Sequence, residues 1–332
     1  MKLYPWHEAI WTRLWATGRE RLPHALLLCG HSGVGKRDFA LRCAQALLCG
    51  SPDSQHNPCG HCASCNSFQQ SAHPDFRLLV PSAESALDDD AAGDVNSGKG
   101  KKLNEAIRVD QVRGLADFVS LTSHQSGQRV VLIAPAEQLN GNAANALLKM
   151  LEEPPAQVTF LLVTNQLARI LPTIRSRCRL LRMPIPDHAQ ASQWLVSQGC
   201  KNVDGNLALA GGAPLDALAR AENDNGLNEL WPAAGEMDPL QLAERVQTFS
   251  SVEVMDSLQT WLYDLLSVKL GLTSRYHVAA NDIQQRIMHR ANLLELIDLH
   301  RAVLDASRLV RHPLNPKLFW ESIFIRYVAA IS

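Results

Sequence analysis

The chain has 332 residues, of which 46% are hydrophobic and 20% charged, and its formal net charge at pH 7 is −1. This length allows two or three domains with cores of their own, and the composition is typical of a soluble globular protein. A net charge so close to zero excludes a global basic field for nucleic acid, so any such contact would be local or supplied by partners.

The sequence predicts neither a targeting segment nor a membrane span. Charged residues and Pro5 interrupt the N-terminal stretch, which therefore lacks the apolar region of a signal peptide. No run of about 18 apolar residues occurs, as a membrane span would require. Eight cysteines in such a chain indicate a reducing, cytoplasmic compartment, where clustered cysteines bind metal more often than they form disulfides.

The chain begins with large apolar residues at helical spacing, which predict an amphipathic helix packed on the core. These residues are Trp6, Ile10, Trp11, Leu14 and Trp15. A buried strand follows at Ala25–Cys29, and then a glycine-rich turn leads into a helix that opens at Lys36.

This strand, turn and helix carry most of the phosphate-loop motif G-x-x-x-x-G-K-[ST]. Its residues are Gly30, Gly33, Gly35 and Lys36. Glycines let backbone N–H groups converge on phosphate, and the helix N-terminus adds positive potential. The last position holds Arg37, whose guanidinium has no lone pair for Mg²⁺. The sequence predicts a nucleotide-binding architecture with impaired chemistry, and a glycine turn that holds no nucleotide remains the alternative.

Four cysteines with the spacing C-x9-C-x2-C-x2-C follow this helix and predict a structural zinc module over residues 49–65. They are Cys49, Cys59, Cys62 and Cys65. Thiolates suit Zn²⁺, and a four-cysteine site leaves no open position for water, so no catalytic metal is expected. The alternative is that one or more are free thiols. His56, His61 and His73 are nearby donors that we expect to be exposed or outside the ligand set.

The middle of the chain alternates apolar strands with helices, which predicts a parallel sheet covered on both faces and hence an α/β fold. Strands are expected at 76–80, 129–133, 158–163 and 179–183, and helices at 109–121 and 140–152. Residues 82–103, rich in Asp, Gly and Ser, predict a flexible surface insertion to which we assign no function.

A second part of the ATPase machinery is missing after the strand Arg129–Ile133. An active phosphate-loop ATPase needs an acidic pair there, one acid for Mg²⁺ and one for the attacking water. This chain has Ala134 and Pro135 instead, and Glu137 lies too far along to replace either. We expect no ATP turnover by this chain alone. The alternative is an authentic ATPase in which Arg37 is harmless and Glu137 or another acid serves the water.

Several segments together resemble one family, the AAA+ subunits of bacterial sliding-clamp loaders, which belong to DNA polymerase III. They are NALLKMLEEPP (145–155), IRSRC (174–178), HPDF (73–76) and the four-cysteine module after the phosphate-loop helix. The resemblance implies a nucleotide-binding-type domain at 1–184, a helical lid at 185–222 and a helical collar for oligomerisation at 223–332. It also places Leu215 where active relatives have a sensor arginine.

The same resemblance implies that Arg177 is an arginine finger acting on ATP in a neighbouring subunit. It implies a non-hydrolysing, stator-like subunit in a complex with ATPase subunits (gamma/tau) and delta, which loads a sliding clamp on primed DNA. The alternative for Arg177 is an ordinary surface ion pair, which contributes little. A stand-alone zinc protein that binds nucleic acid is a further alternative, against which the neutral charge argues.

Overall fold

The computed structural model describes residues 3–81, 106–120, 127–223, 226–234, 237–310 and 315–331. The predicted insertion at 82–103 lies outside these residues. The chain divides into two compact units, Met1–Pro186 and Asp187–Ser332. Within the described ranges, no helix combines the length and apolar character that a membrane crossing requires.

The first unit is built on a sheet of parallel strands, as the apolar runs predict. The described strands are β1 (Ala25–Cys29), β2 (Phe76–Leu79), β3 (Arg129–Ile133), β4 (Val158–Thr164) and β5 (Arg179–Arg182). Their order across the sheet is β2-β3-β4-β1-β5. Leu27 of β1 lies in register with Leu162 of β4 and Leu180 of β5. The three central strands are buried along their whole length, which explains why their sequences are predominantly apolar.

Helices cover both faces of this sheet, which confirms the α/β class. They are α1 (Glu8–Trp15), α2 (Lys36–Leu48), α3 (Ala63–Gln69), α4 (Val109–Ser120), α5 (Gly141–Glu152) and α6 (Pro172–Arg177). Helix α2 packs on β3 and β4. On the opposite face α4, α5 and α6 contribute to a core with alternate residues of the strands, such as Val131, Phe160 and Leu162. The first unit thus consists of a parallel sheet between two layers of helices.

The second unit is helical. Its described helices are α7 (His188–Ser197), α8 (Val203–Leu209), α9 (Pro214–Glu222), α10 (Leu227–Ala234), α11 (Pro239–Val246), α12 (Ser251–Lys269), α13 (Asn281–Arg290), α14 (Leu293–Ser307) and α15 (Pro316–Ile331). Helices α7 to α9 share a small core that includes Leu195 and Leu207. Helices α10 to α15 share a separate, larger core around Trp231, Trp261 and Phe324. These two cores agree with a lid and a collar, whose boundaries stay a prediction.

Candidate functional site

The phosphate loop connects β1 to α2, and its glycines are required by close packing. A Cβ on Gly30 would lie 2.2 Å from the backbone oxygen of Met183, which follows β5. Gly35 has φ +80°, and a Cβ there would lie 2.6 Å from the ring of Tyr4. A side chain at Gly30 would collide with backbone, and one at Gly35 would have a strained φ and displace the Tyr4 ring. The loop therefore has the compact shape that the motif predicts.

Three N-terminal residues, Tyr4, Trp6 and His7, hold the loop from outside, and we call them the aromatic clasp. The indole Nε1 of Trp6 donates to the carbonyl oxygen of Val34 at 2.9 Å. The Nε2 of His7 lies 2.8 Å from the same oxygen. The Tyr4 hydroxyl donates to Asp38 Oδ2 at 2.9 Å, and the Tyr4 ring stacks on Trp6. The clasp fixes both the loop and the first turn of α2.

His7 is neutral in this arrangement. A carbonyl oxygen only accepts hydrogen bonds, so Nε2 must carry the ring proton. In the described part of the chain Nδ1 is buried without a hydrogen-bond partner. Burial lowers the pKa of His7 to about 4, although the contact with Val34 opposes this shift. The clasp therefore brings no positive charge to the loop at neutral pH.

Two residues that would contact a nucleotide differ in their surroundings. Lys36 is buried, and its Nζ donates to the carbonyl oxygen of His31 in the same loop. The lysine expected to reach phosphate is thus bonded to the loop itself. Arg37 is exposed at the start of α2. It occupies the position of the magnesium ligand with a group that cannot bind a cation.

The positions of the missing acids lie just beyond β3. Ala134 and Pro135 are joined by a cis peptide bond. Glu137 follows in a short 3-10 turn, where its Oε1 accepts a hydrogen bond from the backbone N–H of Asn165 at 3.0 Å. Glu137 therefore links the segments that follow β3 and β4. Its other carboxylate oxygen, Oε2, is buried and has no hydrogen-bond partner among the described residues.

The four cysteines come together and are positioned to bind a metal ion. Their sulfur atoms all lie within 4.8 Å of one another. The Sγ of Cys49 lies 3.6 Å from that of Cys59 and 4.0 Å from that of Cys62, and Cys59 lies 3.9 Å from Cys65. A tetrahedral zinc site with bonds of about 2.3 Å requires sulfur separations of about 3.8 Å, so the donor set fits Zn²⁺.

Backbone groups support thiolates at this site. The N–H of Cys59 points to Cys49 Sγ at 3.3 Å, and the N–H of Cys65 points to Cys62 Sγ at 3.4 Å. Hydrogen bonds, with the backbone of His61 foremost, lower the pKa of Cys59 to about 5, whereas burial raises the pKa of Cys49 and Cys65. Cys49 is also the C-cap of α2, and Cys62 is the N-cap of α3. The site therefore joins the ends of two helices.

A buried polar chain ties the cysteine module to the sheet. The Ser64 hydroxyl donates to the carbonyl oxygen of Leu48 at 2.6 Å and lies 2.8 Å from His73 Nε2. The Nδ1 of His73 accepts from the backbone N–H of Asp75 at 3.0 Å. His73, which we expected to be exposed or outside the ligand set, is buried and lies outside the ligand set. These buried hydrogen bonds give the HPDF segment a structural role.

Arg177 lies at the end of α6 with its guanidinium partly exposed. Its Nη1 donates to the carbonyl oxygen of Thr173 at 2.9 Å, and its Nη2 forms an ion pair of 2.6 Å with Oε1 of Glu152 at the end of α5. Cys178, the next residue, is buried in the core between the sheet and α5, and burial raises its pKa to about 11. The buried thiol anchors the backbone from which Arg177 projects.

Several of these contacts were not foreseen from the sequence. The N-terminal aromatic residues were expected only to pack on the core. The clasp depends on hydrogen bonds to the backbone carbonyl oxygen of Val34, which no sequence pattern identifies. The partner of Arg177 was also unforeseen, although Glu152 lies in one of the segments on which the family resemblance rests. The remaining position of interest, Leu215, lies in the first turn of α9.

Three comparisons relate this chain to known proteins. A family model described as "DNA polymerase III, delta subunit" matches residues 8–187. The DNA polymerase III subunit delta' of Pseudomonas aeruginosa is 40% identical over 219 residues, 65% of this chain and 60% of that protein. The chain thus spans less than two thirds of that relative in the match. The Haemophilus influenzae subunit delta' is 33% identical over 287 residues, 83% and 81% of the two chains. Among solved structures, a gamma subunit-related protein of DNA polymerase III from Thermotoga maritima is 17% identical to this chain. The match covers 98% of this chain and 99% of that protein, with a TM-score of 0.44.

Proposed function

Because the chain belongs to the delta' family of DNA polymerase III subunits, we propose that it is the non-hydrolysing subunit of a replication clamp loader. In this role it supplies Arg177 in trans to ATP bound by a neighbouring subunit. Its partners are the ATPase subunits (gamma/tau) and delta, and through the assembly it acts on a sliding clamp and primed DNA in the cytoplasm. Residues 223–332 form the collar through which the subunits associate.

One contrast within the first unit supports this proposal above all. The phosphate loop is engaged by its own chain, through the bond from Lys36 to His31 and through the clasp on Val34. Arg177 also bonds within its own chain, to Thr173 and Glu152, but it does so at the surface of a short helix, with a third of its side chain exposed. The chain is thus better equipped to contribute to another subunit's nucleotide than to use one of its own.

The chemistry of phosphoryl transfer explains what Arg177 would do. Negative charge on the transferred phosphoryl group must be stabilised in the transition state, and an arginine supplied by a neighbour raises the rate by about 10³- to 10⁵-fold. A planar guanidinium presents parallel N–H donors to two oxygens at once. The buried Cys178 anchors the backbone next to Arg177, and the bond from Nη1 to Thr173 orients the guanidinium before a neighbour docks.

The residues at the phosphate loop do not fit a hydrolysable Mg-ATP complex. Arg37 replaces the metal ligand, and Ala134 and Pro135 replace the acids. The four cysteines, in contrast, fit Zn²⁺, which would be held by Cys49, Cys59, Cys62 and Cys65 and would only fix the module. We therefore assign this chain a structural zinc ion and no ATP turnover.

The test is ATP turnover by the reconstituted loader with this subunit as wild type, Arg177→Ala or Arg177→Lys. We expect the alanine variant to lower clamp- and DNA-stimulated turnover by at least 10-fold with assembly intact by size-exclusion chromatography, and lysine to restore little because it cannot bind two oxygens in a fixed plane. Arg179→Ala, an exposed arginine two residues away, is the matched control. Unchanged turnover with Arg177→Ala would reject the finger, and Mg-ATP turnover by the purified wild-type chain would favour an authentic ATPase.

A further inference from the structure

Both terminal nitrogens of Arg177 already have acceptors within this chain. Nη1 donates to the Thr173 carbonyl oxygen, and Nη2 lies 2.6 Å from Oε1 of Glu152. A phosphate bound in the two-oxygen mode would need N–H groups from the same edge of the guanidinium. The Glu152 carboxylate is therefore an internal acceptor for the group that we assign to the neighbour's nucleotide.

We propose that Glu152 is a positioning residue that competes with the neighbour's phosphate for Arg177. The inference rests on the proposed function of Arg177. A carboxylate and a phosphate offer the same kind of anionic oxygen to a guanidinium, so a phosphate can take the place of Glu152 at Nη2. While the ion pair exists, the negative charge of Glu152 also cancels part of the field that Arg177 exerts on nearby groups.

The location of Glu152 makes such an exchange feasible. It is the last residue of α5, and about half of its side chain is exposed, so the carboxylate can turn into solvent. A negative charge at a helix C-terminus is unfavourable because the helix dipole is negative there. Arg177 offsets this repulsion in the free chain. An exposed pair of this kind is weak, so a phosphate with more charge can displace the carboxylate.

Glu153 provides a matched control for Glu152. It is the C-cap of the same helix, is exposed and carries the same charge. Glu152→Gln keeps the size and an acceptor oxygen but removes the charge, and Glu153→Gln makes the same change one residue away. A second control is Glu244→Gln, which breaks an exposed ion pair with Lys317 in the helical unit.

The experiment measures ATP turnover of the reconstituted loader without clamp or DNA, with each variant in the wild-type and Arg177→Ala backgrounds. We expect Glu152→Gln to raise kcat by about two- to fivefold, the range that loss of one exposed ion pair allows, with little change in KM for ATP. The two control substitutions should leave kcat unchanged. In the Arg177→Ala background, Glu152→Gln should have no effect, because the group for which it competes is gone.

The outcomes separate this inference from the function on which it rests. If Arg177→Ala abolishes stimulated turnover but Glu152→Gln leaves kcat unchanged or lowers it, the finger stands and the competition is rejected. If Arg177→Ala leaves turnover unchanged, both are rejected together. A double-mutant cycle on the free chain adds a reading that does not depend on activity. Thermal unfolding should show a coupling between positions 152 and 177, and the absence of any coupling would also overturn the proposal.

Discussion

The indole N–H of Trp6 donates a hydrogen bond to the carbonyl oxygen of Val34, 28 residues further along the chain. Val34 lies between the two glycines of the phosphate loop that have positive φ, Gly33 and Gly35. The loop is thus held through its backbone by a side chain from the N-terminus, and the same oxygen is also contacted by His7. A segment that would otherwise close around phosphate has a fixed partner in its own chain.

Removing this donor should destabilise the first unit. Trp6→Phe keeps an aromatic ring but deletes the N–H, and we expect a loss of about 1 kcal/mol in the free energy of unfolding, the usual net value of such a bond. Trp15→Phe is the matched control, because Trp15 is equally buried and, among the described residues, its Nε1 has no hydrogen-bond partner. Urea unfolding measures both. Equal losses in the two variants would mean that the hydrogen bond contributes nothing.

Gly35 and Gly114 should respond in opposite directions to the same substitution. Gly35→Ala puts a methyl group 2.6 Å from the Tyr4 ring at φ +80°, so we expect a loss of about 2 kcal/mol or more. Gly114→Ala lies on the exposed side of α4, where a Cβ meets nothing within 4 Å, and should gain up to about 1 kcal/mol from helix propensity. Chemical denaturation gives both values. A neutral Gly35→Ala would show that the clasp is not packed on the loop in solution.

The cysteine module should depend on its metal, whereas the sheet should not. Cys62→Ser removes one of four thiolates, and we expect loss of bound zinc with faster hydrogen exchange confined to about residues 49–70. Cys200→Ser, which changes a thiol outside the cluster, should retain one zinc per chain. Metal content and hydrogen-exchange mass spectrometry test this. Global unfolding of Cys62→Ser would show that the module also stabilises the sheet.

His7 should make stability depend on pH below neutrality. Its pKa is about 4 in the folded chain and about 6.5 when unfolded, so the unfolded chain binds more protons between these values. The contribution is fully present above about pH 6.5 and is lost as pH falls towards 4, with an upper limit of about 3 kcal/mol. His7→Gln, which retains a donor, should flatten this part of the profile, whereas the exposed His289→Gln should not. The measurement is the free energy of unfolding of the wild type and both variants between about pH 4 and 7, and an unchanged profile for His7→Gln would contradict the prediction.

Much of the first unit could be predicted from the sequence because its signals are local. The predominantly apolar runs of β3 and β4 give strands with bounds within one residue of those expected. The spacing of the four cysteines also predicts their convergence, which is confirmed. In each case the relevant residues lie close together in the sequence, so periodicity or spacing alone identifies them.

The contacts that were not predicted join residues far apart in the sequence. Arg177 and Glu152 are 25 positions apart, and both could equally have been solvated. The clasp bonds to a backbone carbonyl, which every residue has and no sequence pattern identifies.

Pro232 is a different case, since it lies inside α10, where sequence rules would end the helix. Tertiary packing of Trp231 and Ala234 in the larger core of the second unit outweighs that local preference.

Helix α2 is fixed at both of its ends by contacts within the chain, and this limits how far it can move. At one end the clasp holds the phosphate loop and the Tyr4 hydroxyl bonds to Asp38, and at the other Cys49 belongs to the four-cysteine site. Its 13 residues make a rod about 20 Å long. Both ends of this helix are thus held in place by contacts within the chain, and no nucleotide is needed to keep it rigid. In the function proposed above, such a helix would let this chain keep one shape while neighbouring subunits bind and release nucleotide.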